Sequence, residues 1–145
     1  MKIQLKTDCR GITWDAIHDL IKRAGLVSYP PELLARAFQE SYAVAFAIRK
    51  SQVIGTGRAV SDGPCRAMLY DFAVLPEWQG RGVGRMLMEA ILKQVAGRSV
   101  MLYASPGKEG FYERFFFRRV QTDMAHVKNR TGMMREGGKP PVDRF

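Results

Sequence analysis

The chain has 145 residues, of which 46% are hydrophobic and 26% charged, so we expect a soluble globular protein with a sizeable core. Its formal net charge of +9 would suit a polyanionic partner, but the basic residues are spread along the sequence and form no nucleic-acid-binding motif. There is no apolar run near the ~18 residues that span a bilayer and no signal-peptide pattern, so we expect a cytoplasmic protein that contacts neither membrane nor nucleic acid.

The first half of the chain predicts a strand, two helices and then three strands. Residues 2–7 alternate as a strand does, and Trp14 begins a helical apolar pattern that ends before Gly25. A second helix opens at Pro30 and Pro31. The next three segments, "AVAFAIRK", "SQVIGTGRAV" and "RAMLYDFAVL", are strand-like and are joined by turn sequences. They predict an antiparallel meander.

The second half predicts a helix, a strand, a short helix and closing strands. Apolar residues from Val83 to Val95 follow helical spacing, and the strand "SVMLYAS" comes next. This order indicates a parallel crossover back to the sheet. A short helix in "PGKEGFYERFF" and one or two strands in "FRRVQTDMAHVKN" follow, and residues 129–145 have the composition of a loop-like tail. We therefore predict one α/β (α+β) domain over residues 1–145, with a mixed, mostly antiparallel sheet and about four helices.

A glycine-rich loop lies between the third strand of the meander and the long helix. The stretch "VLPEWQGRGVGRML" places three glycines where a strand ends and a helix starts. Glycines let backbone N–H groups approach a ligand closely, and a helix N-terminus adds unpaired donors and the positive end of its dipole. Phosphate oxygens suit such a site, and Arg81 and Arg85 supply positive charge beside it.

Two familiar phosphate loops do not fit this stretch. A Walker loop needs a lysine and a hydroxyl after its last glycine, where this sequence has Arg85 and Met86. A dinucleotide fingerprint needs glycine at the position that Arg85 occupies, and it opens a βαβ unit instead of following a meander. The alternative without any ligand is a plain strand-to-helix turn, for which three glycines in five residues would be a needless entropic cost.

The loop resembles the acyl-CoA loop of the GNAT superfamily, the acetyl-CoA-dependent N-acyltransferases. The family pattern Q/R-x-x-G-x-G/A is matched in full from Gln79 to Gly84, with the common V-x-P lead-in at Val74 and Pro76. The predicted order of elements is similar to the GNAT fold along nearly the whole chain. The resemblance therefore implies a GNAT fold that uses acetyl-CoA as cosubstrate. The sequence shows no metal-ligand cluster, so we expect no metal.

The resemblance also implies roles for residues of this sequence. Backbone N–H groups of the loop would hold the CoA pyrophosphate, and the preceding strand would pair with the pantetheine arm. The Val74 N–H would then polarise the thioester carbonyl. The residues so implied in binding acetyl-CoA are Phe72, Ala73, Val74, Gln79, Gly80, Arg81, Gly82, Val83, Gly84 and Arg85.

Acetyl transfer needs an acid and a base, and the sequence offers candidates for both. In the family, a tyrosine at the F-Y position of the short helix commonly acts as the general acid, which implies this role for Tyr112; its alternative role is packing among phenylalanines. Asp71 is the only acid in an apolar strand, where a carboxylate needs a partner or a task. Strand alternation puts Asp71 on the face opposite Tyr70 and Phe72, and a bulge would change that placement. Asp71 is thus a candidate base or amine anchor, against a structural ion pair, and Glu109 and a water chain are the other candidates for the base.

One departure from the family pattern concerns the end of the short helix. Family chains often read F-Y-x-x-x-G-F, and this chain has Phe116 where the glycine would stand. Phenylalanine disfavours left-handed geometry, so we expect this helix to end differently and Tyr112 to shift.

We expect an N-acetyltransferase in which an amine of a small molecule or protein attacks the thioester directly. The alternatives are a CoA-binding module without catalysis and a basic nucleic-acid-binding domain. Because GNAT proteins are often dimers, the resemblance also allows a homodimer.

Overall fold

The computed structural model describes residues 2–120, 124 and 126. It divides into two compact units, of which the first ends at Leu102 and the second begins at Tyr103. No helix in the described part of the chain is long and apolar enough to cross a membrane. The first unit holds five strands and three helices: β1 (Gln4–Lys6), α1 (Trp14–Arg23), α2 (Pro31–Gln39), β2 (Ala43–Arg49), β3 (Gln52–Ser61), β4 (Arg66–Val74), α3 (Val83–Gln94) and β5 (Ser99–Met101).

The five strands form one mixed sheet in the order β1-β2-β3-β4-β5. The first four are antiparallel to their neighbours, and β5 runs parallel to β4 after the α3 crossover. The predicted meander, the parallel crossover and the mixed sheet are confirmed. The turn between β2 and β3 has two residues, Lys50 and Ser51, both with positive φ, which matches the right-handed twist of the hairpin strands.

One face of the sheet carries large apolar side chains beneath α1 and α2. Phe38 of α2 and Phe46 of β2 lie 5.5 Å apart between ring centroids, and Trp14 of α1 contacts both rings. Ile17 and Ile21 join this cluster and are fully buried. Proline at the first position of α2 and two basic residues in the last turn of α1 suit helix ends, so local sequence and packing agree.

The opposite face is built from small residues beneath α3. Ala45 pairs with Gly57 and Ala47 with Gly55, so these four residues share a face. A Cβ added to Gly55 would lie 2.8 Å from Leu87 Cδ1 of α3. The small residues therefore let α3 lie very close to the sheet, and its start, at the glycine-rich loop, is positioned by that packing.

Two of the strands predicted late in the sequence are short or absent in the described part of the chain. The strand predicted in "SVMLYAS" is only three residues long, since β5 spans Ser99–Met101. The predicted closing strands cover residues 117–129, and the described members of that range, 117–120, 124 and 126, have no strand structure. The rest of that range and all of the tail lie outside the described residues, and the prediction of one domain over 1–145 stays a prediction.

Candidate functional site

The approach to the glycine-rich loop is held by hydrogen bonds to the end of β4. A single 3-10 turn, Pro76–Trp78, follows the strand, and the Trp78 N–H donates to Leu75 O at 2.8 Å. The Gln79 side chain turns back and its Nε2 donates to Val74 O at 3.0 Å. The glutamine of the motif thus fixes the loop to the strand, and the side chain itself has no need to contact a ligand.

Two loop glycines have left-handed backbone conformations. Gly80 has φ +75° and Gly82, the N-cap of α3, has φ +87°. A Cβ added to either would meet nothing within 4 Å, so the space around them is open. Glycine is needed here for its backbone conformation, and the first N–H groups of the 12-residue helix that follows have no partner within the helix. With no acidic residue in the first turn, this helix end can hold phosphate oxygens.

Two arginines place positive charge beside this helix end. The Arg81 guanidinium lies over the Trp78 ring, 5.1 Å from its centroid. Arg85 Nε lies 3.3 Å from Glu89 Oε1, and both side chains are exposed. Because both arginines lie at the surface, they add an attraction for anions that salt will screen.

A surface ion pair ties the start of the loop to helix α1. Arg23 Nη2 donates to both carboxylate oxygens of Glu77 at 3.0 Å. The backbone N–H of Glu77 and then Arg23 lower the pKa of this carboxyl. The loop is therefore connected to the α1 side of the sheet as well as to α3.

The last residues of β4 pair with β3, and no described strand of the first unit pairs with them on the opposite edge. In the described chain β4 pairs with β5 only from Arg66 to Met68, and this pairing stops where β5 ends, at Met101. The Leu75 N–H donates to Ile54 O of β3 at 2.9 Å. Because successive N–H groups alternate along a strand, the Val74 N–H points to the opposite edge of β4, the edge that faces away from β3. That edge can accept an extended ligand as an added strand.

A β-bulge in β4 corrects the expected placement of Asp71. Thr56 pairs with Ala73 and Arg58 with Tyr70, so two residues of β4 oppose Gly57 alone. Simple alternation would put Asp71 on the face opposite Tyr70 and Phe72. Instead, Asp71 takes φ +52° and reaches Arg58, while Phe72 lies toward Gly57 on the α3 face. Simple alternation fails here and the bulge alternative holds, because the extra residue reverses the side-chain order.

The Asp71 carboxylate has an arginine partner. Arg58 Nε donates to Asp71 Oδ2 at 2.7 Å, and both side chains are 15% exposed. This is the structural ion pair that the sequence analysis weighed against a catalytic base. The base role of Asp71 stays a prediction. Sequence reasoning missed Arg58, although a lone arginine in a mostly apolar strand next to a strand with a lone aspartate was a usable signal.

Tyr112 lies in the second unit, on the short helix α4 (Glu109–Glu113). Its ring meets Phe111 edge to face at 5.2 Å and Phe117 at 6.1 Å between centroids. Burial raises the pKa of Tyr112 to about 12. A phenol with this pKa keeps its proton at neutral pH and can act only as a proton donor there. Glu109, the other candidate on α4, accepts a hydrogen bond from the Gly107 N–H at 3.0 Å through Oε2.

The expected change at the end of α4 does not occur. Phe116 has φ +69°, the left-handed conformation that glycine would adopt at this position. The Phe117 N–H donates to Tyr112 O at 3.3 Å and the Phe116 N–H to Glu113 O at 3.1 Å, as at a left-handed helix end. The expectation that this helix would end differently is wrong, because the chain tolerates the strain at a side chain that is 94% exposed.

Comparison with a family of known proteins agrees with this geometry. Residues 20–131 match the family model described as "Acetyltransferase (GNAT) domain". The matched range includes β4, the glycine-rich loop, α3 and α4.

Individual relatives and solved structures agree as well. The chain is 32% identical to an uncharacterized N-acetyltransferase ycf52 of Gracilaria tenuistipitata var. liui, over 70% of this chain and 61% of that protein. It is also 32% identical to "Serotonin N-acetyltransferase 2, chloroplastic" of Oryza sativa subsp. japonica, over 74% of this chain and 57% of that protein. The chain thus spans about three fifths of the length of these two curated relatives. A crystal structure of a probable acetyltransferase from meticillin-resistant Staphylococcus aureus superposes with a TM-score of 0.80 at 23% identity, covering 88% of this chain and 100% of that one, which shows a shared fold.

Proposed function

The chain belongs to the GNAT acetyltransferase family, and on that basis we propose that it transfers an acetyl group from acetyl-CoA to a primary amine. One observation carries the proposal: the open left-handed glycines, Gly80 and Gly82, lie at the start of α3, directly after the part of β4 that extends beyond its pairing with β5. A phosphate site and an extended-ligand edge lie next to each other along the chain, and acetyl-CoA has a pyrophosphate joined to an extended amide-containing arm.

Acetyl-CoA would bind through the backbone for most of its length. The N–H groups from Gly80 to Arg85 would hold the pyrophosphate, with Arg81 and Arg85 adding charge. The backbone of residues 72–74 would pair with the amides of the pantetheine arm as an added strand. Binding that depends on the backbone explains why the motif demands glycines more than particular side chains.

The chemical step would be direct attack by the amine. The amine lone pair bonds to the thioester carbonyl carbon, and the Val74 N–H stabilises the oxygen as it gains negative charge. The C–S bond then breaks, the thiolate takes a proton from the Tyr112 hydroxyl, and the amide product loses its extra proton to the base. Asp71 or a water would be that base. The ion pair with Arg58 favours the water, because Asp71 Oδ2 is already engaged at 2.7 Å.

The acceptor is an amine of a small molecule or a protein, and the two classes can be tested separately. The rice relative's name assigns it an arylalkylamine, serotonin, which makes that class the first to assay. The same name places that relative in the chloroplast, so the cytoplasmic location expected for this chain stays a prediction.

The test combines binding with turnover. Calorimetry with acetyl-CoA measures the cosubstrate site, and thiol release over a panel of arylalkylamines, polyamines and lysine peptides measures transfer. We expect micromolar binding and release of CoA with at least one amine class. Binding without turnover on the whole panel would support the CoA-binding module, and the absence of binding would exclude both functions.

The role of Tyr112 has its own test. We expect Tyr112→Phe to lower kcat by about 10²-fold, with acetyl-CoA affinity unchanged, because the thiolate loses its proton donor. Since the pKa of Tyr112 is raised to about 12, the wild-type phenol stays protonated and kcat should not fall through its ionisation below the ordinary tyrosine pKa of 10.0. The raised pKa also means that ionisation of Tyr112 favours unfolding as pH rises from 10.0 toward 12. A wild-type kcat in the variant between pH 7 and 10 would exclude the acid role.

A further inference from the structure

The bulge in β4 places Asp71 in the left-handed backbone region, which aspartate adopts more readily than most residues with a Cβ but still at a cost. Asp71 has φ +52°, which side chains with a Cβ rarely adopt. Two residues of β4 here oppose Gly57 alone, and the β4–β5 pairing has already ended at Met68. Strained backbone of this kind persists only where the surrounding structure holds it. The contacts that hold this bulge also affect the proposed oxyanion donor, because Val74 lies only three residues after Asp71.

On the α1/α2 face the bulge is held by Arg58. Its Nε donates to Asp71 Oδ2 at 2.7 Å, and its Nη1 donates to Ser41 Oγ at 3.4 Å. The guanidinium also lies between two rings, 5.0 Å from the Tyr70 centroid and 5.7 Å from the Phe38 centroid. A planar guanidinium held between two rings has few alternative positions, so it fixes the carboxylate that it binds.

On the α3 face the bulge is held by Phe72. A Cβ added to Gly57 would lie 2.9 Å from Phe72 Cδ2 and 2.8 Å from Ile91 Cδ1. The ring therefore occupies space that only glycine leaves open, between β3 and α3. Asp71 and Phe72 are consecutive residues of the bulge, so contacts hold the bulge on both faces of the sheet: Asp71 on the α1/α2 face and Phe72 on the α3 face.

We infer that Arg58 is a positioning residue for acetyl transfer, which acts through Asp71 to hold the β4 bulge and so orient the Val74 N–H. The inference rests on the proposed function. It gives Asp71 a task other than proton transfer, and it explains why a charged pair that is only 15% exposed lies at the bulge between β3 and β4.

The experiment is a double-mutant cycle on kinetics. Arg58→Gln and Asp71→Asn are each expected to lower kcat by about tenfold or more, because a small misplacement of a catalytic donor is costly, while KM for the amine changes little. The double variant should lose no more than the worse single variant, since both changes release the same bulge. Arg58→Lys, which keeps the charge but not the planar stacking, should restore part of the loss and also covers the case in which Arg58→Gln fails to fold.

A matched control is Arg98→Gln. Arg98 also lies over a tyrosine ring, 4.6 Å from the Tyr42 centroid, and donates to Gly63 O, but it joins turns at the other end of β4. Its loss should lower thermal stability without lowering kcat of the folded protein. The pH dependence of kcat/KM distinguishes a positioning role of Asp71 from a role as base. If Asp71 only positions the bulge, the acidic limb of the profile keeps its midpoint in Asp71→Asn.

The outcomes separate the two proposals. An active wild type whose Arg58→Gln and Arg58→Lys variants keep full kcat would overturn the positioning role and leave the proposed function intact. A loss in Asp71→Asn far beyond that in Arg58→Gln, with the acidic limb removed, would also overturn it and make Asp71 the base. An inactive wild type over the whole amine panel would instead refute the proposed function, and the positioning role would fall with it.

Discussion

Two pairs of glycines in this protein serve opposite purposes. Gly55 and Gly57 lie in the middle of β3 without left-handed φ, and an added Cβ would lie 2.8 Å from a side-chain carbon of α3 in each case. Gly80 and Gly82 lie in the loop with left-handed φ, and an added Cβ would meet nothing within 4 Å. The first pair is needed for missing volume, and the second pair for backbone conformation and open space.

The difference separates glycines that shape the scaffold from glycines that shape the ligand site. The β3 glycines bring α3 onto the sheet and leave room for Phe72, so they position the start of the helix. The loop glycines expose that start to a ligand. Substitutions in the first pair should therefore affect folding, and substitutions in the second pair should affect ligand binding more than packing.

The largest effect should come from Gly57→Ala. The new methyl group would lie 2.8 Å from Ile91 Cδ1 and 2.9 Å from Phe72 Cδ2. Overpacking of this kind costs about 2–3 kcal/mol of unfolding free energy, measured by urea denaturation. Gly110→Ala is the control, because Gly110 has an open Cβ position and no left-handed φ, and it should be neutral or slightly stabilising. Equal stability of the two variants would contradict the packing role of Gly57.

Gly82→Ala tests the second kind of glycine. An alanine at the Gly82 φ of +87° should lower the free energy of unfolding by about 1–2 kcal/mol. Acetyl-CoA affinity should fall by about tenfold or more, because the loop would relax away from the conformation that binds phosphate. Gly25 has the same φ of +87° and equally open space at the end of α1. Gly25→Ala should therefore lose similar stability and keep acetyl-CoA affinity, both measured by calorimetry. If both variants lost affinity alike, the loop would have no special role in binding.

Arg81→Glu asks how much the loop depends on side-chain charge. We expect acetyl-CoA affinity to fall by about tenfold at low salt, about 1.4 kcal/mol, and by less as salt screens the exposed charge. Arg36→Glu changes the net charge equally at an exposed position of α2. Titrations at two salt concentrations should show a loss for the first variant alone. If Arg81→Glu bound acetyl-CoA with unchanged affinity, the Arg81 charge would make no contribution and the backbone of the loop would account for binding.

The smallest effect should come from Phe116→Gly, which restores the glycine of the family pattern at the end of α4. Phe116 has φ +69° and is 94% exposed, so Phe116→Gly relieves strain with little loss of packing. After the entropy cost of glycine in the unfolded chain, we expect a gain of about 0.5–1 kcal/mol, measured by thermal unfolding. A loss of stability would mean that the Phe116 side chain has a packing partner.

Much of the fold was predictable from sequence because its signals are local. The apolar spacing of α1, α2 and α3, and the turn residues between β2, β3 and β4, each depend on a few neighbouring residues. The glycine-rich loop was equally visible, since conformational freedom and the missing lysine are properties of single residues. Strand β5 was predicted too long, because the point at which it ends depends on its pairing with β4, a distant part of the chain.

The sequence by itself determined the family, the order of the elements and the loop at the start of α3. Only the tertiary structure decided which way Asp71 faces, that Arg58 binds it, and that Gly57 leaves room for Phe72. The physical reason is register. A single extra residue in β4 reverses which side chains share a face, and that residue is set by contacts from β3 and the helices on both faces instead of by any pattern within β4 itself.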